Sequence, residues 1–279
     1  MTHLKVDAPA KLNLSLRIRG KRSDGYHELE TLMVTLPGLA DRLSFSPAEA
    51  FSFTCDDLSL PIDETNLVVK AVRKFEAAVG KICLFHIHLE KRIPHGAGLG
   101  GGSSDAANTL IALNSLHDSP LETAELSEIA ASLGSDIPFF LTQKPSWCTG
   151  RGEIVKPADI LNPLPVLLLK PSFGVSTQDA YGRFASGTDI PGIDYQATKL
   201  PFGDLVNDLE RPVFAKHRFL AELKQWLVEH PATRGALMSG SGSTVFAILN
   251  DQSLAESIVT EAKTTLDPSL WSWSGITGS

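Results

Sequence analysis

The sequence predicts an α+β protein of two domains, and three observations carry that expectation. Alternating and extended strand segments open the chain and then give way to helices. The second half follows an approximate βαββαβ order, which suggests a ferredoxin-like unit. At 279 residues the chain is also longer than one ordinary core requires. The expected domains are residues 1–156 and residues 157–279.

The elements follow in order. Over residues 11–18, Leu12, Leu14, Leu16 and Ile18 alternate with Lys11, Asn13, Ser15 and Arg17. That is the two-residue period of a strand, so Lys11 and Asn13 project together. The Asp24-Gly25 turn leads into an extended run at 29–36, and shorter alternating pieces follow at 43–46 and 51–55. Asn66 is a candidate N-cap for a helix with Val68, Val72, Phe75 and Val79 on one stripe. Cys83, Phe85, Ile87 and Leu89 then alternate with Leu84, His86, His88 and Glu90, which sets His86 and His88 on one strand face. Without a nearby third ligand they read as solvent-facing rather than as a metal pair. Ala106, Ala107, Leu110 and Leu113 mark a helix, and Leu126, Ile129, Ala130 and Leu133 mark another that stops at Gly134. In the second half come a strand at 166–169, a capping pattern at Ser176 and Asp179, and one long helix through Val213, Leu220, Leu223 and Leu227. Strands at 236–238 and 245–249 flank a second glycine-rich loop, before a helix at 254–262 and an extended segment at 271–276.

Hydrophobic residues make up 43% of the chain and charged residues 20%, the composition of a fully folded globular protein. A formal charge of −7 argues against a nucleic-acid partner, which needs clustered basic residues. It does not exclude small anionic substrates, because a few local cations suffice. Cys55, Cys83 and Cys148 are odd in number and far apart, so neither a disulfide framework nor a zinc site is expected. No apolar run approaches a membrane span or a signal peptide, and a cytoplasmic location is expected.

The most informative segment is Pro94-His95-Gly96-Ala97-Gly98-Leu99-Gly100-Gly101-Gly102-Ser103-Ser104-Asp105, between a strand and a helix. Its five glycines allow tight turns and close backbone approach, and the helix start adds free N–H donors and partial positive charge. Together they make an anion site suited to phosphates. A P-loop would place Lys where Ser103 stands. Gly96, Gly98 and Gly101 fit the dinucleotide spacing, but a second helix follows where that fold needs a strand. A flexible linker fits poorly, because strand and helix abut the loop.

The segment from Pro94 to Ala107 resembles the phosphate-binding motif of the GHMP kinases. Ala8-Pro9-Ala10-Lys11-Leu12-Asn13-Leu14 is similar to that family's first motif, and Met238-Ser239-Gly240-Ser241-Gly242-Ser243-Thr244-Val245-Phe246 to its third. Arg22-Ser23-Asp24-Gly25-Tyr26-His27-Glu28-Leu29 and Leu133-Gly134-Ser135-Asp136-Ile137-Pro138-Phe139-Phe140-Leu141 resemble one branch, the diphosphocytidyl methylerythritol kinases. Asn207-Asp208-Leu209-Glu210, and Ser176-Thr177 with Ala180-Tyr181, resemble that branch's second domain.

The resemblance implies a two-domain GHMP kinase fold, with an ATP-binding N-terminal domain of ribosomal-protein-like β/α type and a ferredoxin-like C-terminal domain. It implies transfer of the ATP γ-phosphate to the 2-hydroxyl of 4-diphosphocytidyl-2-C-methyl-D-erythritol, a step of non-mevalonate isoprenoid synthesis. The alternatives are a mevalonate- or homoserine-type kinase and a non-catalytic nucleotide-binding relative.

Phosphoryl transfer needs positioning, charge stabilisation and a proton acceptor. The loop lacks a lysine, so Lys11 is the candidate cation, against the plain reading of a solvated lysine. Asp136 is the candidate proton acceptor on the resemblance, and by position it could also cap a short helix. Asn13 could position substrate or lysine through its amide. On the resemblance, Tyr26 and Tyr181 sandwich cytosine while His27 reads its polar edge, although His27 alone would read as a turn residue. Mg²⁺ is expected with ATP, because Lys11 cannot neutralise the phosphates alone. Ser103, Ser104 and Asp105 stand at the appropriate loop end, with Asp105 equally a first-turn helix residue, and the metal ligands stay unassigned. The family's second loop pattern is less well kept at residues 143–148, where Trp147 and Cys148 are bulky, and Cys148 reads as buried rather than reactive.

Overall fold

The computed structural model describes residues 3–158 and 162–278. The chain opens with β1 (Leu4–Lys21), β2 (His27–Pro47) and β3 (Ser52–Cys55), followed by α1 (Leu67–Val79) and β4 (Phe85–Glu90). Three helices come next, α2 (Gly101–Leu116), α3 (Thr123–Leu133) and α4 (Ile137–Thr142), and then the hairpin of β5 (Ser146–Gly150) and β6 (Ile154–Pro157). The second half holds β7 (Pro165–Lys170), α5 (Thr177–Gly182), β8 (Thr198–Leu200), β9 (Gly203–Asn207), α6 (Glu210–Lys216) and α7 (Arg218–Glu229). It closes with β10 (Thr233–Met238), β11 (Val245–Leu249), α8 (Ala255–Thr265) and β12 (Trp271–Ile276).

Two sheets result. The first runs β3-β4-β2-β1-β9-β8, with β5 attached to β2 and β6 to β5; β8 and β9 therefore extend the first sheet although they follow β7. The second runs β10-β11-β7-β12, all antiparallel, which is the strand order of a ferredoxin-like βαββαβ unit. Alternation along each strand sorts side chains into layers. Leu43, Phe45 and Ile87 of the first sheet pack on α1 and α2, and Leu167, Leu169 and Met238 of the second pack on α6 to α8. The facing sides, with Leu12, Leu14 and Val34 against Val166, Leu168 and Phe246, form a third core between the sheets.

Three expectations change. The runs at 29–36 and 43–46 belong to one 21-residue strand. Leu36 lies opposite Ala10 and Ala40 opposite Pro9, so residues 37–39 form a bulge that accommodates Pro37 without breaking the strand. The single long helix is two, α6 and α7, broken at His217, whose ψ of 72° is not helical. Third, residues 146–148 of the divergent segment are strand rather than loop, paired with β2 and β6.

Other local signals act as read. Asn66 accepts a hydrogen bond from Val68 N, and Ser176 accepts one from Asp179 N. Glycine 134 follows the last turn of α3. His86 and His88 share the sheet face toward Ser52 and Thr54 and bond to those hydroxyls.

Candidate active site

The polar face of β1 is not a solvent face. Lys11, Asn13 and Ser15 are 3%, 3% and 4% exposed, so the solvated-lysine reading fails. Lys11 Nζ donates to Asn13 Oδ1 and to Gly98 O at 2.9 Å, and it lies 3.7 Å from Asp136 Oδ2. Asn13 Nδ2 in turn donates to Thr31 Oγ1 at 2.8 Å, which fixes the amide with its oxygen toward the ammonium. Burial lowers the Lys11 pKa, and the Asp136 carboxylate opposes that shift.

Asp136 precedes α4 but caps nothing: its backbone is already helical and its side chain makes no cap bond. The carboxylate turns instead toward Lys11 with 39% of its side chain exposed to the cavity. The cap reading is therefore corrected, because the buried ammonium offers a stronger partner than a backbone amide.

The glycine loop is tied down through its carbonyls. The oxygens of Gly96, Ala97, Gly98, Leu99 and Gly100 accept from Val175 N, Thr244 N, Lys11 Nζ with Ser239 Oγ, Lys11 N and Ser104 N. With five successive carbonyls bonded within the protein, the amides of this cavity-lining loop are the groups left to serve an anion. Gly98 has a φ of +74°, and a Cβ there would stand 2.0 Å from Ser239 O, so only glycine lets the two glycine-rich loops meet. Helix α2 already starts at Gly101, which puts the N–H groups of Gly101, Gly102 and Ser103 at its open end.

One cavity of about 880 Å³ collects these groups. Its wall includes Lys11, Asn13, Asp136, Pro94, His95, Gly96 to Ser103, Tyr26, His27 and Tyr181. Ser104 is not in it: fully buried, it makes the first helical turn and meets the Asn108 amide. Asp105 is not in the wall either, and its carboxylate pairs with Lys91, a residue that does line the cavity, at 2.9 Å. There Lys91 joins Asp41, whose Oδ1 accepts from Arg92 N and Ile93 N. Burial and the neighbouring Asp41 raise the Asp105 pKa, while Lys91 opposes them. Of the three loop-end metal candidates, Ser103 alone faces the cavity. No cluster of three or more His, Cys, Asp or Glu side chains fit to hold a metal occurs among the described residues.

At the other end of the cavity His27 stacks on Tyr181, with centroids 5.6 Å apart and planes at 28°, and Phe184 meets His27 edge-on. Tyr26 is 54% exposed and lies under the Arg151 guanidinium at 4.9 Å. The two tyrosines are thus each paired within the protein, Tyr181 with His27 and Tyr26 with Arg151. Each aromatic face takes the nearest ring or cation. Burial, with the Asp136 charge, raises the Tyr181 pKa and keeps its phenol neutral. Burial likewise raises the Cys148 pKa, leaving an inert thiol.

Sequence reasoning missed Thr31, Arg151, the Lys91–Asp41–Asp105 cluster and the Thr177–Ser241 hydroxyl pair, 3.0 Å apart in the cavity wall. A charge within an apolar strand was the available signal for Asp41, and Lys91 just before the glycine loop was another. Thr31 and Arg151 gave none, because strand pairing alone brings them in.

Comparison with known proteins agrees with this geometry. The family model for the GHMP kinases N terminal domain matches residues 66–144, and that for GHMP kinases C terminal matches 198–267. A 4-diphosphocytidyl-2-C-methyl-D-erythritol kinase of Methylacidiphilum infernorum is 42% identical over 95% of this chain and 93% of its own. The enzyme of that name from Syntrophus aciditrophicus is 41% identical over 96% of both. A crystal structure of 4-(cytidine 5'-diphospho)-2C-methyl-D-erythritol kinase, 35% identical, superposes with a TM-score of 0.80 over 99% of this chain and all of that one. Homoserine kinase from Cytophaga hutchinsonii shares the fold at a TM-score of 0.71 and 18% identity, with 100% of this chain and 95% of that one covered. Motifs, fold and relatives converge, and the chain belongs to the GHMP kinase family.

Proposed function

We propose that the protein transfers the γ-phosphoryl group of ATP to the 2-hydroxyl of 4-diphosphocytidyl-2-C-methyl-D-erythritol, giving ADP and the 2-phosphate ester. The observation that carries this reading is the meeting of Lys11, Asn13 and Asp136 beside the anion-binding loop, in one cavity with Tyr26, His27 and Tyr181. Relatives about 40% identical along nearly the whole chain bear that enzyme's name.

In this reading the amides of Gly96 to Ser103 hold the ATP phosphates, with Pro94 and His95 lining the approach. The substrate hydroxyl oxygen attacks the γ-phosphorus, the bond to the β–γ bridging oxygen breaks, and ADP leaves with that electron pair. Asp136 accepts the hydroxyl proton, and Lys11 faces the charge that spreads over the transferring oxygens. Asn13 fixes the ammonium. In this reading the cytosine ring stacks on Tyr181 and Tyr26 as the His27–Tyr181 and Arg151–Tyr26 pairs part to admit it, and His27 offers a polar edge.

Mg²⁺ suits this wall, since it binds through phosphates, water and few protein groups. Ser103 would hold it, and the ion supplies further neutralisation of phosphate charge. We place the step in non-mevalonate isoprenoid synthesis, in a cytoplasmic setting compatible with three free cysteines, and keep two domains, with the 156/157 boundary shifted past the end of β6 at Pro157 and with β8 and β9 of the second half joining the first sheet.

A coupled ADP-release assay with ATP and Mg²⁺ tests the reading against mevalonate and homoserine as acceptors. Turnover with the cytidylyl substrate alone is expected. Turnover with another acceptor would overturn the substrate, and silence with all three would leave a non-catalytic nucleotide binder.

A further inference from the structure

The segment from Asn207 to Glu210 has no task in the reaction above, yet it lies directly behind the second glycine-rich loop. Asn207 ends β9 at 3% exposure and uses both ends of its amide. Its Nδ2 donates to Met238 O and Gly240 O, both at 2.7 Å, and its Oδ1 accepts from Leu209 N at 2.9 Å. Reversing the amide would set its oxygen against two carbonyls, so only this orientation fits. Glu210 takes the other side of the same residue, its Oε1 accepting from Met238 N at 2.9 Å while Oε2 pairs with Lys224 at 2.7 Å. Residues 238–240 are therefore gripped at N–H and C=O alike.

That grip reaches the reaction centre. Gly240 has a φ of +55°, and a Cβ there would stand 3.1 Å from Asn13 Oδ1 and 3.2 Å from Lys11 Nζ. The Gly240 backbone thus lies beside the Asn13 amide and the Lys11 ammonium, with little room for a side chain between them. Asn207 is also tied to the strand that carries Lys11, because it pairs with Leu16 and the next amide, Asp208 N, donates to Leu16 O at 3.0 Å. One side chain accordingly sets the spacing between β1 and the loop that closes over it.

We propose that Asn207 is a positioning residue for phosphoryl transfer, holding Gly240 against Lys11 so that the ammonium is directed into the cavity. The proposal rests on the kinase reading of the site. Asn13 Oδ1 and Gly98 O take two of the three ammonium donors. The third is left for Asp136, 3.7 Å away, and the cavity, with the Gly240 backbone bounding the ammonium on one side. A displacement of about 1 Å at such a group is enough to cost about 10²-fold in rate.

The test is steady-state kinetics of Asn207→Ala in two backgrounds, the native chain and Lys11→Arg, each variant checked for folding by near-UV circular dichroism and assayed well below its melting temperature. In the native background kcat is expected to fall about 10²-fold with KM for the cytidylyl substrate little changed. In the Lys11→Arg background the same substitution is expected to cost less than about threefold, because the group it positions is already altered. Equal losses in both backgrounds, or native kcat in Asn207→Ala, would reduce Asn207 to a scaffold residue and overturn the proposal. Asn207→Ser, which keeps one donor, serves if the alanine variant does not fold; its kcat loss is expected to be smaller but to vanish likewise in the Lys11→Arg background, and an equal loss there overturns the proposal as well. The unsubstituted protein is the control: no turnover there sinks the kinase reading, whereas turnover with equal losses sinks only this one.

Discussion

Lys11 is a cation enclosed by protein whose charge is tolerated because Asn13, Gly98 and Asp136 surround it. Its lowered pKa has two consequences of definite sign. Between that value and the ordinary lysine value of 10.5, the unfolded chain binds the proton that the folded chain has lost, so this group's contribution to stability rises with pH across that window. Activity goes the other way: kcat/KM for ATP, which reports the unliganded enzyme, is expected to fall on an alkaline limb below pH 10.5 as the ammonium deprotonates, and Lys11→Arg should remove that limb at the cost of rate. A pH profile of both proteins checks this. For Asp136→Asn, kcat is expected to drop ~10²-fold or more while ATP affinity measured by calorimetry stays near native; near-native kcat would remove it as proton acceptor. Tyr181→Ala should weaken binding of the cytidylyl substrate by ~1 to 3 kcal/mol, read as a raised KM. At this scale the two-residue period already placed Lys11 and Asn13 on one face, and only tertiary pairing could place Asp136 beside them. Asp105 misled for the same reason, since a first-turn acidic residue is indistinguishable in sequence from one drawn inward by Lys91.

The two glycine-rich loops behave as one device. Gly98 O receives both Lys11 Nζ and Ser239 Oγ, so each loop holds the other in register. Gly98→Ala is expected to force them apart and abolish measurable turnover, with ATP affinity falling as well; titration of ATP by fluorescence or calorimetry checks the second part. Strand and helix existence was largely legible here, from alternation in β1 and β4, the Asn66 cap and the glycine after α3. The break between α6 and α7 was not, because Val213, Leu220, Leu223 and Leu227 all face one core and keep a single apolar register across it. Nor was the continuity of β2, since Pro37-Gly38 reads locally as a terminator and is rescued only by a bulge against β1. Local propensity gives way in both places to what the element packs on.

Across the whole molecule the two sheets share a core rather than touching at a polar seam. Heat unfolding is expected to be a single transition with calorimetric and van't Hoff enthalpies equal, and two resolved transitions would show that the sheets are independent. A fragment ending at residue 157 would bare Leu12, Leu14, Val34 and Leu36 and is expected to aggregate rather than fold. The ferredoxin-like half was legible as an order of elements, but the recruitment of β8 and β9 into the other sheet was not, because nothing local in those short strands names their partner.

The shared core also restricts how the protein can move. Swinging one half away from the other would bring Leu12, Leu14, Leu168 and Phe246 into water, at roughly 25 cal/mol for each Å² exposed. A jaw-like opening and shutting is therefore denied to this protein. Any adjustment of the cavity to a molecule as large as a nucleotide conjugate is expected in its wall segments, such as the turn bearing Tyr26 and the β5–β6 hairpin bearing Arg151, joined by a cation–π contact at 4.9 Å.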